Sequence, residues 1–362
     1  MIEFDFEALS ALGLTPAIIQ HAQQVAPPEG AGLSLVRIIE VHRESVRLHD
    51  GRSERGGRLL PRLQRALLEA GTAAAVGDWA LAGTDAHGQA WLHALVPPQS
   101  HIVRRDGDGR RHPVASNVDT ALLVMGLDDD FNARRLERYL ALVEGEGILP
   151  VVVLTKADVV AHTPEELAAR IDGLRARIAA GVEVIAVNAT HASAALALHA
   201  YLGRGQTLVL LGSSGAGKST LTNTLLGAQV QDTGAVREHD SRGKHTTTSR
   251  SLHRLPGGAC VIDTPGLRAL RADGDAATVA GSFGDIAALA GGCRFSDCRH
   301  ELEPGCAVRE GVDADRLRNY HKLLREARRD TLTPLQRQAQ VAQWKARGRA
   351  SRERMKQKRG EA

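Results

Sequence analysis

Aromatic residues make up only 3% of the 362 positions, with Trp79 and Trp91 almost the sole rings available for stacking in the first third of the chain. Recognition of single-stranded nucleic acid on an aromatic platform needs more exposed rings than that. No apolar run approaches the roughly 18 residues of a membrane span, so a spanning helix is excluded and no membrane partner is expected. The opening segment MIEFDFEALSALGL is acidic and lacks a leader's basic start and small-residue cleavage pattern, which points to the cytoplasm. Only 4 cysteines occur, and Cys293, Cys298 and Cys306 crowd into one short stretch, which suits metal binding better than a disulfide framework and fits a reducing compartment. The formal net charge is just +4, and the positive excess is local, concentrated between Arg316 and Arg359.

With 43% apolar residues and a length beyond one ordinary domain, the chain can bury two or three modest cores. From about Leu33 to Arg105 short strands such as LSLVRIIEV, AVGDWALAG and AWLHALV are separated by glycine-rich turns, which predicts a small barrel. The intervening GRSERGGRLL is so polar and glycine-rich that it reads as an exposed loop. From about Val118 apolar strands alternate with helical stretches, the pattern of a parallel sheet covered by helices on both faces.

The strongest local signal is GSSGAGKS, Gly212 to Ser219, between the strand TLVLL and a helix. Glycines let successive backbone N–H groups converge on phosphate oxygens at the positive end of a helix. The expected phosphate loop comprises Gly212, Ser213, Ser214, Gly215, Ala216, Gly217, Lys218, Ser219 and Thr220. Lys218 reaches the β- and γ-phosphates, and Ser219 ligates Mg²⁺. Downstream, Asp263-Thr264-Pro265-Gly266 ends an apolar strand, placing the Asp263 carboxylate near that metal and the Gly266 amide where a γ-phosphate is sensed.

Thr155-Lys156-Ala157-Asp158 resembles the guanine-recognition motif of GTPases, whose carboxylate accepts two ring protons that adenine does not offer. Thr155 stands where asparagine is usual. Asn188-Ala189, after the strand VEVIAV, resembles the last GTPase motif. These motifs precede the phosphate loop, whereas in ordinary GTPases they follow it, so the order is circularly permuted. Together with ASNVDTALLVMGL (Ala115 to Leu127), GKHTTTSR (Gly243 to Arg250), the preceding barrel and the cysteine cluster, this resembles the ribosome small-subunit-dependent GTPase A family from about Leu33 to Arg329.

Leu267 follows Gly266 where many GTPases carry a water-orienting glutamine, so His245 in the GKHTTT segment is the catalytic candidate and Thr247 the candidate third magnesium ligand. Cys293, Cys298, His300 and Cys306 offer three thiolates and an imidazole, a set suited to closed tetrahedral Zn²⁺ in a segment with too few apolar residues to fold by burial. Arg316 to Asp330 predicts an amphipathic helix that packs Leu317 and Leu323 and exposes Arg and Lys.

The expected fold is therefore multidomain: an N-terminal extension (1–32), an OB-type β-barrel (33–112), a circularly permuted α/β P-loop GTPase domain (113–281), a C-terminal zinc-binding helical domain (282–332) and a basic tail (333–362). The resemblance implies GTP hydrolysis in late maturation of the small ribosomal subunit, stimulated by the subunit and coupled to release, with GTP and GDP, the small subunit and its rRNA as partners of a monomer. A guanine-nucleotide-clamped RNA-binding protein with little turnover and an ATPase or kinase on a P-loop scaffold are the competing expectations.

Overall fold

The computed structural model describes residues 2–26, 32–105, 111–160, 163–179, 181–229, 250–264 and 276–330. His245, Thr247, Gly266, Leu267 and the basic tail lie outside the described residues. In chain order the strands are β1 (Ser34–Val41), β2 (Val46–His49), β3 (Glu54–Leu59), β4 (Trp79–Thr84), β5 (Ala90–Leu95), β6 (His101–Arg105), β7 (Arg111–Ser116), β8 (Thr120–Gly126), β9 (Leu149–Thr155), β10 (Glu183–Ala186), β11 (Thr207–Leu211), β12 (Ser251–Arg254) and β13 (Cys260–Asp263). The helices are α1 (Phe6–Ser10), α2 (Pro16–Val25), α3 (Pro61–Glu69), α4 (Ala133–Glu144), α5 (Pro164–Arg175), α6 (Ser193–Ala197), α7 (Lys218–Leu226), α8 (Ala276–Gly281), α9 (Gly284–Ala290), α10 (Ala307–Gly311) and α11 (Ala314–Asp330). None of the described helices is long and apolar enough to cross a membrane.

Strands pair in the order β1-β2-β3-β5-β4, and β4 pairs back on β1, closing a five-stranded barrel. Alternation along β1 decides both of its faces: Val36 and Ile38 enter the barrel with Leu48, Ala80 and Leu92, while Leu35 and Ile39 face the core shared with the neighbouring sheet. GRSERGGRLL is not the loop its composition suggests, because Glu54–Leu59 forms β3. Glu54 and Arg58 are exposed while Arg55 is half-buried, and a Cβ at Gly57 would lie 2.6 Å from Leu48 Cδ1, so close packing against Leu48 favours the glycine. Trp79 is 0% exposed and offers no stacking surface, whereas Trp91 is half-buried and donates Nε1–H to Asp85 at 2.9 Å.

Arg37, between Leu35 and Ile39, is fully buried without a carboxylate ion pair among the described residues. Its guanidinium donates to the Leu12 carbonyl, to Gly77 O at 3.3 Å, to Asn117 O at 3.1 Å and to Thr207 Oγ1 at 2.9 Å. Trp79 lies beneath it, with 5.5 Å from Cζ to the ring centroid. One side chain thus joins the N-terminal extension, the barrel, the end of the β6–β7 hairpin and the first residue of β11.

The second sheet runs β10-β9-β8-β11-β13-β12, parallel from β10 to β13 with β12 antiparallel at the barrel side. Its strands read as continuous apolar runs because helices cover both faces. Leu122, Val124, Leu208 and Leu210 face Leu221 and Leu225 of α7, and Leu123, Val152 and Val209 face Leu136, Leu140 and Val143 of α4. Thus β8, β9 and β11 end side by side at one carboxyl edge.

The C-terminal helices pack Leu317 and Leu323 inward with Phe283, Ile286 and Val308, as the periodicity of α11 predicts. Arg316 departs from that expectation: it is only 4% exposed and is held rather than displayed. It donates bidentately to Asp285 at 2.7 and 2.6 Å, lies over Phe283, and donates at 2.9 Å to Glu137 of α4. Glu137, itself buried, also accepts from Arg177 at 2.8 Å and from Asn319 at 2.5 Å. Flanking pairs Arg134–Asp315 and Arg138–Glu326 complete the junction of α4 with α11. Removing the shared acceptor leaves Arg316 with Asp285 alone, Arg177 with Asp315 alone and the buried Asn319 amide short of a partner, a loss worth about 1–3 kcal/mol. Glu137→Ala is therefore expected to lower the denaturation midpoint in urea and to expose α11 to limited proteolysis, while conservative changes at exposed Arg318 leave both unaltered.

Candidate functional site

At the carboxyl edge β11 passes into Gly212–Gly217 and α7 opens at Lys218. Gly217 precedes the helix at φ 90°, a left-handed conformation natural to glycine, and a Cβ at Gly212 would come within 2.4 Å of the Val124 carbonyl oxygen. The loop can therefore curl tightly against β8 and leave the first-turn amides of α7 pointing outward. Ser214 and Gly215 are its exposed rim, and Ser219 and Thr220 are half-buried in the first turn of α7.

Lys218 is 5% exposed and bends back so that Nζ donates to the carbonyls of Gly212 at 3.1 Å and Ser213 at 2.7 Å. Burial pushes its pKa down to about 8, against the opposing pull of the Asp263 and Asp130 carboxylates. Asp263, at the end of the adjacent β13, is 1% exposed, and burial pushes its pKa up to about 6 while nearby Lys218 pulls it down. Both Asp263 carboxylate oxygens are buried without a hydrogen-bond partner among the described residues. Such an acid calls for a cation or donor from beyond the described residues, and with Ser219 at the start of the neighbouring helix the residues fit a hard divalent ion.

Thr155 closes β9, and its hydroxyl donates to the Ala216 carbonyl of the glycine-rich loop at 2.6 Å. Lys156 follows with φ 59°, its Nζ paired with Asp128. The Ala157 amide donates to Val187 O at 3.2 Å, joining this turn to the segment that holds Asn188 and Ala189. Thr224 of α7 donates to Ala189 O at 2.6 Å, and Asn188 Oδ1 accepts from the Thr190 amide at 3.0 Å and its hydroxyl at 2.7 Å. Asp158 is exposed and has no hydrogen-bond partner among the described residues, leaving its carboxylate available to a ligand. The structure thus brings together Thr155–Asp158, Asn188–Ala189, Gly212–Thr220 and Asp263 at one end of one sheet.

A second constellation lies beyond α9. One ligand atom from each of Cys293, Cys298, His300 and Cys306 falls within 4.8 Å of the others. Cys293 and Cys306 sulfurs are 3.9 Å apart, and His300 Nδ1 is 3.6 and 3.5 Å from them. Tetrahedral zinc with its usual bond lengths requires about 3.8 Å between sulfurs and about 3.5 Å from sulfur to nitrogen. The four residues fit Zn²⁺ with no position left open. His300 adopts φ 61° to turn its ring inward, and its carbonyl lies 3.2 Å from His321 Nε2 of α11.

The RsgA GTPase family model matches residues 95–273. The chain is 46% identical to the "Small ribosomal subunit biogenesis GTPase RsgA" of Xanthomonas oryzae pv. oryzae (strain MAFF 311018), covering 82% of this chain and 84% of that protein. It is 48% identical to the protein of the same name from Xanthomonas campestris pv. campestris (strain B100), covering 79% of each. The chain belongs to the RsgA GTPase family. Among solved structures, YloQ, a circularly permuted GTPase, matches with a TM-score of 0.57 at 21% identity over 85% of this chain and 99% of its own. YjeQ from Thermotoga maritima matches with a TM-score of 0.59 at 22% identity over 81% and 98%. The α/β sheet of this RsgA GTPase is accordingly a circularly permuted GTPase fold, and the chain is a GTP hydrolase.

Sequence reasoning passed over Asp128 and Asp130, although both stand where β8 ends. Their signal was topological: β8 lies between β9 and β11, and ligands of open α/β sheets bind outside the carboxyl ends of the strands.

Two expected outcomes follow from this geometry. Magnesium-dependent GDP affinity, measured by fluorescent-nucleotide titration, should fall as pH drops through about 6, where Asp263 gains a proton, and again as pH rises past about 8, where Lys218 loses one. Asp263→Asn should flatten the acid limb alone. Purified protein should carry zinc, read by elemental analysis; Cys306→Ser should lose it and the near-ultraviolet signal of Phe283 and Tyr320, whose rings are 5.2 Å apart.

Proposed function

We propose that this RsgA GTPase acts late in maturation of the small ribosomal subunit, with hydrolysis stimulated by the subunit and coupled to its release. The observation that carries the catalytic reading is Asp263: a buried carboxylate with both oxygens unsatisfied beside the buried Lys218 at the mouth of a glycine-rich loop. Bound Mg²⁺ supplies charge neutralisation between the β- and γ-phosphates. Ser219 and Asp263 hold that ion, with Thr247 from the GKHTTT segment as its GTP-dependent ligand. On nucleotide binding Lys218 exchanges the Gly212 and Ser213 carbonyls for phosphate oxygens, whose negative charge favours the ammonium form. The loop amides and the N-terminus of α7 bind the phosphates, and the Gly266 amide senses the γ-phosphate.

Asp158 selects guanine by accepting its paired donors, the Lys156 stem covers the ring, and the Ala189 amide contacts the base oxygen. Thr155 supports the site from behind through Ala216, which is why a residue other than asparagine serves there. Because Leu267 cannot orient water, His245 takes that role on the partner.

The four-ligand centre of Cys293, Cys298, His300 and Cys306 holds a structural Zn²⁺. Arg134, Arg309, Arg318, Lys322 and Arg325 line a groove of about 700 Å³ beside it, positive charge suited to phosphates of folded rRNA. The barrel, of OB type, adds a second docking surface, and the protein acts as a cytoplasmic monomer.

The decisive measurement is single-turnover GTP hydrolysis with and without purified small subunits. Stimulation is expected for wild type and a loss of roughly 10²–10⁴-fold in the stimulated rate for His245→Ala. Equal stimulated rates would remove His245 from the mechanism. Absence of stimulation would overturn the partner.

A further inference from the structure

The turn from Gly126 to Asp130 leaves β8 between the guanine-side loop and the phosphate loop, and its carboxylates reach both. Asp128 Oδ2 accepts from Lys156 Nζ. Asp130 Oδ1 accepts the Ser213 hydroxyl at 2.5 Å and Arg135 Nη2 at 2.6 Å, and its Oδ2 accepts the Gly126 amide at 3.3 Å. Asp128 Oδ1 in turn accepts the Asp130 amide at 3.2 Å. Burial raises the Asp128 pKa, but the Lys156 and Asp130 hydrogen bonds outweigh it and hold the carboxyl below its ordinary range.

We infer that Asp128 and Asp130 are positioning residues for the nucleotide, Asp128 acting through Lys156 on the base and Asp130 acting through Ser213 on the phosphate loop. The inference rests on the reading of Thr155–Asp158 and Gly212–Ser219 as the nucleotide loops. Lys156 has a left-handed backbone, a strained conformation for a lysine that the surrounding contacts impose, and Asp128 fixes the far end of its side chain. A freely rotating ammonium would sweep the stem off the plane where a purine ring must lie. Ser213 belongs to the loop whose amides must converge on phosphate, and it is 7% exposed, so the hydroxyl donated to Asp130 fixes that peptide's orientation.

An acid so near a phosphate site needs its own counter-charge. Arg135 provides it, donating both to the Asp130 carboxylate and to the Asp130 carbonyl. Arg135 belongs to the first turn of α4, two residues before Glu137, on which the C-terminal helices are docked. The same turn therefore connects both halves of the nucleotide site to the helix that carries the C-terminal domain.

The test is a pair of double-mutant cycles on full-length protein, reading fluorescent GDP affinity, melting temperature, and KM against kcat in subunit-stimulated hydrolysis. Asp128→Asn and Lys156→Ala should each weaken GDP binding by roughly 10-fold and the double variant by no more than Lys156→Ala alone, as for residues acting through one contact. Asp130→Asn and Ser213→Ala should behave likewise, whereas Asp128→Asn with Ser213→Ala should multiply. KM should rise with kcat little changed in Asp128→Asn, and Asp128→Glu should recover most of the affinity, neither of which a loss of stability alone produces. Wild-type affinity in Asp128→Asn alongside weakened Lys156→Ala, or multiplying losses within a pair, would overturn the inference and leave the site assignment standing. Unaltered binding in Lys156→Ala and Lys218→Ala would overturn the site assignment and the inference together.

Discussion

A hydrogen bond of 2.6 Å from the Thr155 hydroxyl to the Ala216 carbonyl makes one site out of two segments 61 residues apart. Without it the turn after β9 and the loop after β11 would be joined only through the sheet and the Gly126–Asp130 turn between them. Thr155 is 0% exposed, so an unpaired hydroxyl there would be costly and the bond is strongly favoured. Ala157 to Val187 and Thr224 to Ala189 extend the same lacing to the third loop. The departure from asparagine at this position is thus accommodated by the tertiary contact.

Electrostatic stress is concentrated where function needs it. Lys218 and Asp263 are both buried with perturbed pKa values, yet neither is used up in pairing the other: the lysine borrows backbone carbonyls and the acid has nothing among the described residues. That arrangement suits a site where phosphate and a divalent cation would satisfy both groups, as the proposed function requires. By contrast, the buried charges at Glu137 and Arg316 are fully satisfied, and they serve docking of the C-terminal helices.

Arg37 does comparable work at the opposite end of the sheet. Four oxygen acceptors from four segments converge on one guanidinium, so barrel, hairpin, N-terminal extension and β11 keep a fixed relation through neutral acceptors. Barrel and GTPase sheet are joined by hydrogen bonding near the other edge as well, where β1 pairs with β12.

Local sequence determined the features whose chemistry is local: the glycine-rich turn before α7, the alternation that gave β1 two apolar faces, the four metal-type ligands around His300, and the motif order that announced a permuted GTPase. It misread GRSERGGRLL, because a barrel strand can be polar on one side and glycine-bearing on the other when a neighbour packs against the missing Cβ, and it could not foresee that Trp79 would lie beneath Arg37. The roles of Asp128, Asp130, Arg135 and Glu137 were invisible for a different reason. Each depends on partners that only strand order and helix docking bring within reach, and a charged residue in a turn or on a helix carries no mark of the partner it will meet. The sequence by itself therefore decided what chemistry is present, and the tertiary structure decided which residues hold it in place, since positioning is a matter of distance between segments remote along the chain.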